Sequence, residues 1–249
     1  MQRYLNLNNA YMNTLVDDDL SKKRFEYVKN VHSEYELPKI QVNSALHYKN
    51  DYKQIQNKYP TIDRNAPHFK LRPGAYGLTA SLIKFLEKNK DTKDDFVIWY
   101  EDDALPGDNQ VMFNKQLDIA MNLIKNNKNN NNNVYFLGYA THCRTQCKKI
   151  NKWIEKNKKT KDGTHCIIFT KSSINTILSY MKNNIITQPI DNFLFSLHEN
   201  KIINAYDWGN NVLNENPMYC GLFKQKNTYC GKFNEESIIS NSQKNDNIN

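Results

Sequence analysis

The chain has 249 residues, of which 39% are hydrophobic and 12% aromatic, and its formal net charge is +8. The aromatic content is too high for a disordered chain, and 8 glycines and 7 prolines are too few for a collagen-like or low-complexity one. No run of about 18 apolar residues is present, and Asn8 and Asn9 interrupt any signal-peptide core. We therefore expect no membrane span, no secretory signal and a cytoplasmic location.

The positive charge is mostly lysine scattered among asparagine, a pattern that an AT-rich genome produces without selection for binding. We expect a solvated basic surface that attracts phosphorylated ligands, and no nucleic-acid partner. The bias is compatible with a virus or a protist, and a viral protein would lie in the host cytoplasm or the virion. The five cysteines are odd in number, so reduced thiols are expected, although Cys220 and Cys230 could pair.

Short apolar runs alternate with helical patterns, which favours an α/β fold over an all-α or all-β one. The Phe96–Tyr100 run is apolar on both faces, as expected for a central strand. In chain order, the predicted strands are Arg3–Leu7, Lys39–Leu46, Phe96–Tyr100, Val134–Gly138 and His165–Thr170. The first predicted helix begins at Leu20, after aspartates 17–19 that can cap it. Three further helices are marked by apolar residues at helical spacing: Leu78, Leu82 and Leu86; Phe113, Leu117, Ala120 and Ile124; and Ile174, Ile177, Leu178 and Met181.

Two segments are of low complexity. Residues 126–133 form an Asn-rich insertion, which predicts a surface loop, and the polar tail at 235–249 is predicted to be disordered. No linker rich in proline or glycine divides the rest, so we expect one domain over residues 1–234.

The sharpest chemical signal is Glu101-Asp102-Asp103, directly after the apolar run Phe96–Tyr100. Three consecutive carboxylates repel one another, and burying them is costly unless a cation compensates. The end of a central strand is also where open α/β sheets bind ligands. Because alternate residues of an extended chain share a face, Glu101 and Asp103 can together hold Mg²⁺ or Mn²⁺ while Asp102 points the opposite way. The alternative is a solvated acidic turn.

Two further segments carry candidate side chains. Gly163-Thr164-His165 opens an apolar strand, and an imidazole there can complete a carboxylate metal site or contact a phosphate, with a structural histidine as the alternative. Asp191 follows Pro189 in an extended step before a helical pattern. That position is typical of a helix N-cap, and it also suits a general base that activates an acceptor hydroxyl.

Other kinds of site are disfavoured. His142, Cys143 and Cys147 lack the paired spacing of a zinc site. The chain contains no G-x-G-x-x-G, no G-x-x-x-x-G-K-[ST] and no G-x-S-x-G, which argues against dinucleotide, P-loop and α/β-hydrolase sites.

Taken in order over residues 3–225, the motifs resemble glycosyltransferase family 25, which includes lipooligosaccharide galactosyltransferases and collagen-type galactosyl- and glucosyltransferases, with relatives in large DNA viruses. Between Leu7 and Asp17 this pattern places a loop. The matching segments are Tyr4-Leu5-Asn6-Leu7, Ser21-Lys22-Lys23-Arg24-Phe25, Gly74–Ser81, Ile98–Asp103, Gly163–Ile167, Pro189-Ile190-Asp191 and Pro217–Gln225.

The resemblance implies a GT-A fold, an α/β sandwich with a mostly parallel central sheet that binds a nucleotide-sugar at the strand ends. It also implies a metal-dependent, inverting hexosyltransferase that moves glucose or galactose from a UDP-sugar to a hydroxyl of a glycan, glycolipid or protein. Glu101, Asp103 and His165 would bind Mn²⁺ or Mg²⁺, and Asp191 would be the base. The residues expected to contact the donor are Asn6, Arg24, Gly77, Ser81, Asp102 and Gln225.

Two other functional classes stay open on the sequence alone. One is a metal-dependent phosphoesterase, such as a nuclease, that uses the same carboxylates. The other is a catalytically idle module that binds a sugar or a protein. The intact carboxylates at 101–103 and 191 argue mildly against the idle module, because an idle site has no need of three adjacent like charges.

Overall fold

The computed structural model describes residues 9–127, 131–140, 152–156, 162–208 and 219–225. Several sequence predictions lie outside this part of the chain: the strand Arg3–Leu7 with its Asn6, the tail 235–249, the cysteines at 143 and 147, and the pairing of Cys220 with Cys230. Cys166 is described, and it is a buried free thiol.

The helices are α1 (Asp19–Glu34), α2 (Tyr52–Lys58), α3 (Pro67–Leu71), α4 (Pro73–Asn89), α5 (Gln110–Asn126), α6 (Lys171–Asn183) and α7 (Ile190–Glu199). The strands are β1 (Ala10–Thr14), β2 (Ile40–Ser44), β3 (Phe96–Glu101), β4 (Ala104–Pro106), β5 (Asn133–Ala140), β6 (Trp153–Glu155), β7 (Asp162–Thr170), β8 (Asn204–Trp208), β9 (Tyr219–Gly221) and β10 (Phe223–Gln225). Of the predicted loop at 126–133, residues 128–130 lie outside the described part of the chain, and its two end residues belong to α5, which ends at Asn126, and to β5, which begins at Asn133.

The central sheet has the order β2-β1-β3-β7-β5-β8-β6, and β9 pairs with β5. Strand β1 is parallel to β2 and β3, and β5 is parallel to β8, whereas β7 is antiparallel to both β3 and β5. Five strands (β1, β2, β3, β5 and β8) therefore run in one direction. The predicted α/β fold with a mostly parallel central sheet is confirmed.

Strand β3 is buried on both faces, as its apolar run predicts. Val97 and Trp99 pack in a core layer with α4, α6 and α7, and Ile98 and Tyr100 pack in a second layer with α1 and α5. The sheet thus lies between two helical layers, and its strand ends are the places where polar side chains can gather.

The sequence prediction is wrong between Leu7 and Asp17, where a loop was expected. Residues Ala10–Thr14 form β1, which lies between β2 and β3, and all five of its residues are buried. Two residues of this strand, Asn13 and Thr14, are polar, and each has a buried partner. Asn43 Nδ2 donates to Asn13 Oδ1 at 3.0 Å, and Thr14 Oγ1 donates to Asp102 Oδ2 at 3.2 Å.

Helix α1 starts where the aspartate cluster predicts. The Asp18 side chain accepts from the Ser21 N–H at 2.7 Å and so caps the helix. None of the helices in the described ranges is both long enough and apolar enough to cross a membrane.

Near its carboxyl end, α1 is tied to β4 through His32. The buried His32 ring lies with its Nε2 2.9 Å from the Ala104 carbonyl oxygen and packs edge-on against Tyr100 at 4.9 Å between centroids. Burial lowers the pKa of His32 from 6.5 to about 4, although the Ala104 hydrogen bond opposes this shift. The buried neutral imidazole of His32 is therefore fully compatible with the fold above pH 6.5. As the pH falls toward 4, the unfolded chain binds a proton more readily than the folded protein, and the free energy of unfolding decreases.

We predict that His32→Gln reduces the loss of Tm between about pH 7 and about pH 5, because glutamine can donate to Ala104 without titrating. Thermal unfolding at both pH values measures the effect. The same change at the exposed His68 is the control, and it should leave the pH dependence as in the wild type. An equal loss of Tm in His32→Gln and wild type would contradict the assignment.

Candidate functional site

Polar residues converge at the carboxyl ends of the parallel strands. Asn43, Asn13 and Glu101 lie in register on β2, β1 and β3. Because β7 is antiparallel, its first residues, including Thr164 and His165, reach the same edge. Such an edge is where open α/β sheets bind their ligands.

Glu101 is held by two side chains of β7. Its Oε1 accepts from the Thr164 hydroxyl, and its Oε2 lies 3.2 Å from His165 Nδ1. The Glu101 side chain is only 12% exposed. Both carboxylate oxygens thus contact β7, which fixes the orientation of the His165 ring.

His165 is the point at which the acidic residues meet. Burial lowers its pKa, but the Glu101 hydrogen bond and the charges of Glu101, Asp103 and Asp191 outweigh burial and raise the pKa above 6.5. Of these carboxylates, Glu101 contacts the His165 ring, and Asp191 accepts from the neighbouring Gly163. The predicted residues 101, 165 and 191 are therefore joined through the start of β7.

Asp102 points toward the other helical layer. It accepts from Thr14 Oγ1 and lies within electrostatic reach of Arg24 on α1. The pKa of Asp102 is raised from 3.8 to about 8, chiefly by burial and to a smaller extent by the charges of Asp103 and Glu101, while Arg24 and the Thr14 hydrogen bond oppose the shift. Glu101 lies with Thr164 and His165 while Asp102 lies with Thr14, but β3 ends at Glu101 and Asp102 and Asp103 form a turn, so the alternation expected of an extended chain does not run through 101–103.

A divalent ion could be held at Asp103, which is 4% exposed. Within the described ranges, no three side chains of His, Cys, Asp or Glu are close enough together to form a metal-binding group. Mg²⁺ and Mn²⁺, however, often take only one or two protein carboxylates and complete their shells with phosphate oxygens and water. Asp103 fits that mode better than Glu101, whose oxygens already accept from β7. The set Glu101, Asp103 and His165 stays a prediction.

Asp191 lies in the first turn of α7, but it is not the N-cap that its sequence context allowed. The N-cap is Pro189, so Asp191 is the second residue of the helix. Its Oδ2 accepts from the Gly163 N–H at 3.4 Å, and its Oδ1 accepts from the Asn192 N–H at 2.8 Å. Gly163 has φ +92°, a conformation that glycine adopts without strain, so this glycine brings the start of β7 toward Asp191.

Gly77 and Ser81, predicted to contact the donor, hold α4 against the segment after β2. Ser81 Oγ accepts from the Leu46 N–H at 2.8 Å and donates to the Gly77 carbonyl at 2.7 Å. A Cβ on Gly77 would lie 2.5 Å from the Leu46 carbonyl oxygen. Both residues therefore have a structural role in the described geometry, and their contact with a donor stays a prediction.

The remaining predicted donor contacts lie on either side of the acidic triplet. Arg24 is 4% exposed, and neither its Nε nor its Nη2 has a hydrogen-bond partner. Gln225 pairs with Ala104 in the β4–β10 ladder, so its backbone lies beside the residue that follows Asp103.

The sequence reasoning missed two hydroxyl residues that hold the carboxylates, Thr14 and Thr164. Thr164 lies between Gly163 and His165 in a motif that the sequence analysis names, so the sequence does indicate a hydroxyl donor at the start of β7. No motif in the sequence points to Thr14, because the sequence pattern predicts a loop at that position.

No family model matches the chain, and no curated protein matches its sequence. Among solved structures, one similar chain is the crystal structure of mannose-1-phosphate geranyltransferase from Thermus thermophilus. The TM-score is 0.41 at 7% identity, over 87% of this chain and 74% of that one. A similarity of this size carries no argument about activity.

We predict that Gly77→Ala lowers the free energy of unfolding by about 1–3 kcal/mol, because the added methyl overlaps the Leu46 backbone, which cannot move without disturbing the end of β2. Urea denaturation measures the loss. Ser179→Ala, at an exposed position of α6, is the control and should change stability by no more than about 0.5 kcal/mol. Equal stability of the two variants would contradict the close approach of α4 to the Leu46 backbone.

Proposed function

We propose that the protein is an inverting glycosyltransferase that moves glucose or galactose from a UDP-sugar to a hydroxyl acceptor on a glycan, glycolipid or protein. The observation that carries the proposal is the arrangement at the start of β7, where Thr164 and His165 contact Glu101 and Gly163 donates to Asp191 at the carboxyl edge of the sheet. The proposal includes a GT-A fold and membership of glycosyltransferase family 25. Its support is that motifs far apart in the sequence converge at one edge.

Inversion requires a single displacement at the anomeric carbon. The acceptor oxygen forms a bond to that carbon, the bond to the diphosphate oxygen breaks, and UDP leaves. One group must take the proton of the acceptor hydroxyl, and we assign this role to Asp191. Hydrogen bonds from the Gly163 and Asn192 N–H groups fix the orientation of its carboxylate.

The leaving diphosphate would lie near Asp102 and Asp103, beyond the end of β3. A bound Mn²⁺ or Mg²⁺ would neutralise charge that develops on the diphosphate, with Asp103 as its protein ligand. His165, held by Glu101, would lie beside the same region.

We predict that UDP raises the Tm of the protein and that Mn²⁺ increases this effect, because a ligand that binds only the folded state stabilises it. At a UDP concentration of about 100 times its Kd, the stabilisation should be about 2.7 kcal/mol. A thermal-shift series with UDP, GDP and CMP, each with and without Mn²⁺, measures it. Asp103→Asn should remove most of the Mn²⁺ effect.

Adding an oligonucleotide to this series separates the competing functions. A nuclease would be stabilised by an oligonucleotide and would hydrolyse it in the presence of Mn²⁺, whereas the proposed enzyme would do neither. Equal responses to UDP, GDP and CMP would contradict a uridine-specific donor site.

We predict that Asp191→Asn lowers kcat for hexose transfer by about 10²–10⁴-fold, because the amide cannot take the acceptor proton. The affinity for UDP should not change, since the base does not contact the leaving group. Calorimetry with UDP and a transfer assay with UDP-glucose and UDP-galactose measure the two quantities.

Asp118→Asn is the matched control, because it makes the same chemical change on α5, in the opposite helical layer. Its turnover should equal that of the wild type. Full turnover of Asp191→Asn would eliminate this residue as the base.

A further inference from the structure

Arg64 is an exposed cation whose side chain is positioned by an aromatic ring. Its guanidinium carbon lies 4.1 Å from the centre of the ring of Tyr52, the first residue of α2. The adjacent carboxylate, Asp63, accepts from the Asn65 N–H at 2.9 Å. In the ranges that the structure describes, no carboxylate forms an ion pair with Arg64. A guanidinium that lies over a ring keeps its N–H groups available, because they point outward in the plane of the cation.

The segment that carries Arg64 is joined to the segment that leads into α7. Ile62 and Ile186 form a parallel bridge, and hydrogen bonds of 2.8 and 2.9 Å join the Ile186 backbone to the two residues that flank Ile62. Because the two segments run in the same direction, the chain from Ile62 to Arg64 advances toward the amino end of α7. Asp191, the proposed base, is in the first turn of that helix. Arg64 therefore lies toward the side of the site that holds the base.

The charge of Arg64 also acts on the beginning of α4. Burial raises the pKa of Tyr76, in the first turn of α4, and the nearby Tyr52 adds to this shift, whereas the Arg64 charge opposes it. The amino ends of α4 and α7 both lie at the carboxyl edge of the sheet, because Gly77 approaches the segment after β2 and Asp191 accepts from the start of β7. Arg64 is therefore a cation at the rim of the candidate site.

The chemistry of the proposed transfer decides which substrate this cation meets, and this step rests on the proposed function. In a single displacement, the acceptor oxygen approaches the anomeric carbon from the face opposite to the leaving diphosphate. We assign the diphosphate to the end of β3 near Asp103, and the acceptor proton to Asp191 on α7. The acceptor therefore extends from Asp191 along the side of the site on which Arg64 lies.

We infer that Arg64 binds an anionic group of the acceptor, so that the acceptor carries a phosphate or a carboxylate close to the hydroxyl that receives the hexose. Either group offers two oxygens at the spacing of a guanidinium edge. The contact with Tyr52 restricts the guanidinium before the ligand arrives, so less conformational entropy is lost on binding. The net charge of +8 attracts an anionic acceptor at longer range.

The test compares three probes that differ at one position of the same sugar: glucose, glucose 6-phosphate and glucuronic acid. Calorimetry with saturating UDP and Mn²⁺ measures their affinities while the region near Asp103 is occupied. The wild type should bind at least one charged probe about 10-fold more tightly than glucose, and the tighter of the two identifies the anionic group. Arg64→Gln should remove this preference and leave the affinity for glucose unchanged.

Two controls separate the cation from general charge and from stability. Lys125→Gln removes one positive charge at an exposed position of α5 and should keep the preference. Because Arg64 is exposed, Arg64→Gln should keep the Tm of the wild type, so its loss of binding is not a loss of folding.

A pair of variants at Tyr52 tests the contribution of the ring. Tyr52→Phe keeps a ring beneath Arg64 and should keep the preference for the charged probe. Tyr52→Leu removes the ring and should weaken binding of that probe by about threefold, the value expected for a cation–π contact at an exposed site.

The outcomes distinguish this inference from the proposed function. Binding of a charged probe that Arg64→Gln weakens, without UDP binding or hexose transfer, would leave the anion site intact and reject the transferase. Hexose transfer by a wild type that binds all three probes equally, or a preference that persists in Arg64→Gln, would overturn the inference and leave the transferase untouched. An absence of UDP binding together with an absence of binding by all three probes would overturn both.

Discussion

Burial of three consecutive carboxyl groups is the constraint around which the site is built. Glu101 ends a strand that is buried on both faces, Asp102 and Asp103 follow it, and all three side chains are largely shielded from water. The chain separates them. Glu101 lies with Thr164 and His165 on β7, and Asp102 lies with Thr14 and Arg24. Every other feature of the site follows from which partner meets which carboxyl group.

The separation gives the two sides of the sheet edge different chemistry. On the side of α7, the Glu101–His165 pair and Asp191 form a group that can hold a charge and accept a proton. On the side of α1, a buried guanidinium and a carboxyl group with a raised pKa face each other without an ion pair. A phosphorylated sugar that spans the edge would meet the Arg24 guanidinium on one side and the Asp191 carboxylate on the other.

The sequence predicts the parts of this arrangement that depend on local pattern. The apolar run before Glu101 identifies the central strand, and the aspartates at 17–19 identify the cap of α1. Strand β1 was missed because its polar residues are satisfied only by distant partners, Asn43 and Asp102, which a linear pattern does not reveal. The short strands β4 and β10 were missed for a related reason, since they pair only with each other across the fold.

The role of each site residue was harder to predict than its position. Glu101 is predicted to be a metal ligand, and the structure adds that both of its oxygens contact β7, a fact set by the register of β3 against β7. Gly77 and Ser81 stood in a motif that suggested ligand binding, and their neighbours are backbone atoms of Leu46. The register between distant strands and the packing of helices decide such roles, and neither can be predicted from the spacing of residues along the sequence.

The central claim is that the sheet edge beyond Asp103 receives a nucleotide diphosphate between Arg24 and His165. A crystal structure of the protein grown with UDP and Mn²⁺ tests it most directly. The account predicts phosphate density beside Asp103, with the Nε–Nη2 edge of Arg24 donating to it. Density for UDP at another face of the molecule, with Arg24 still unpaired, would contradict the account.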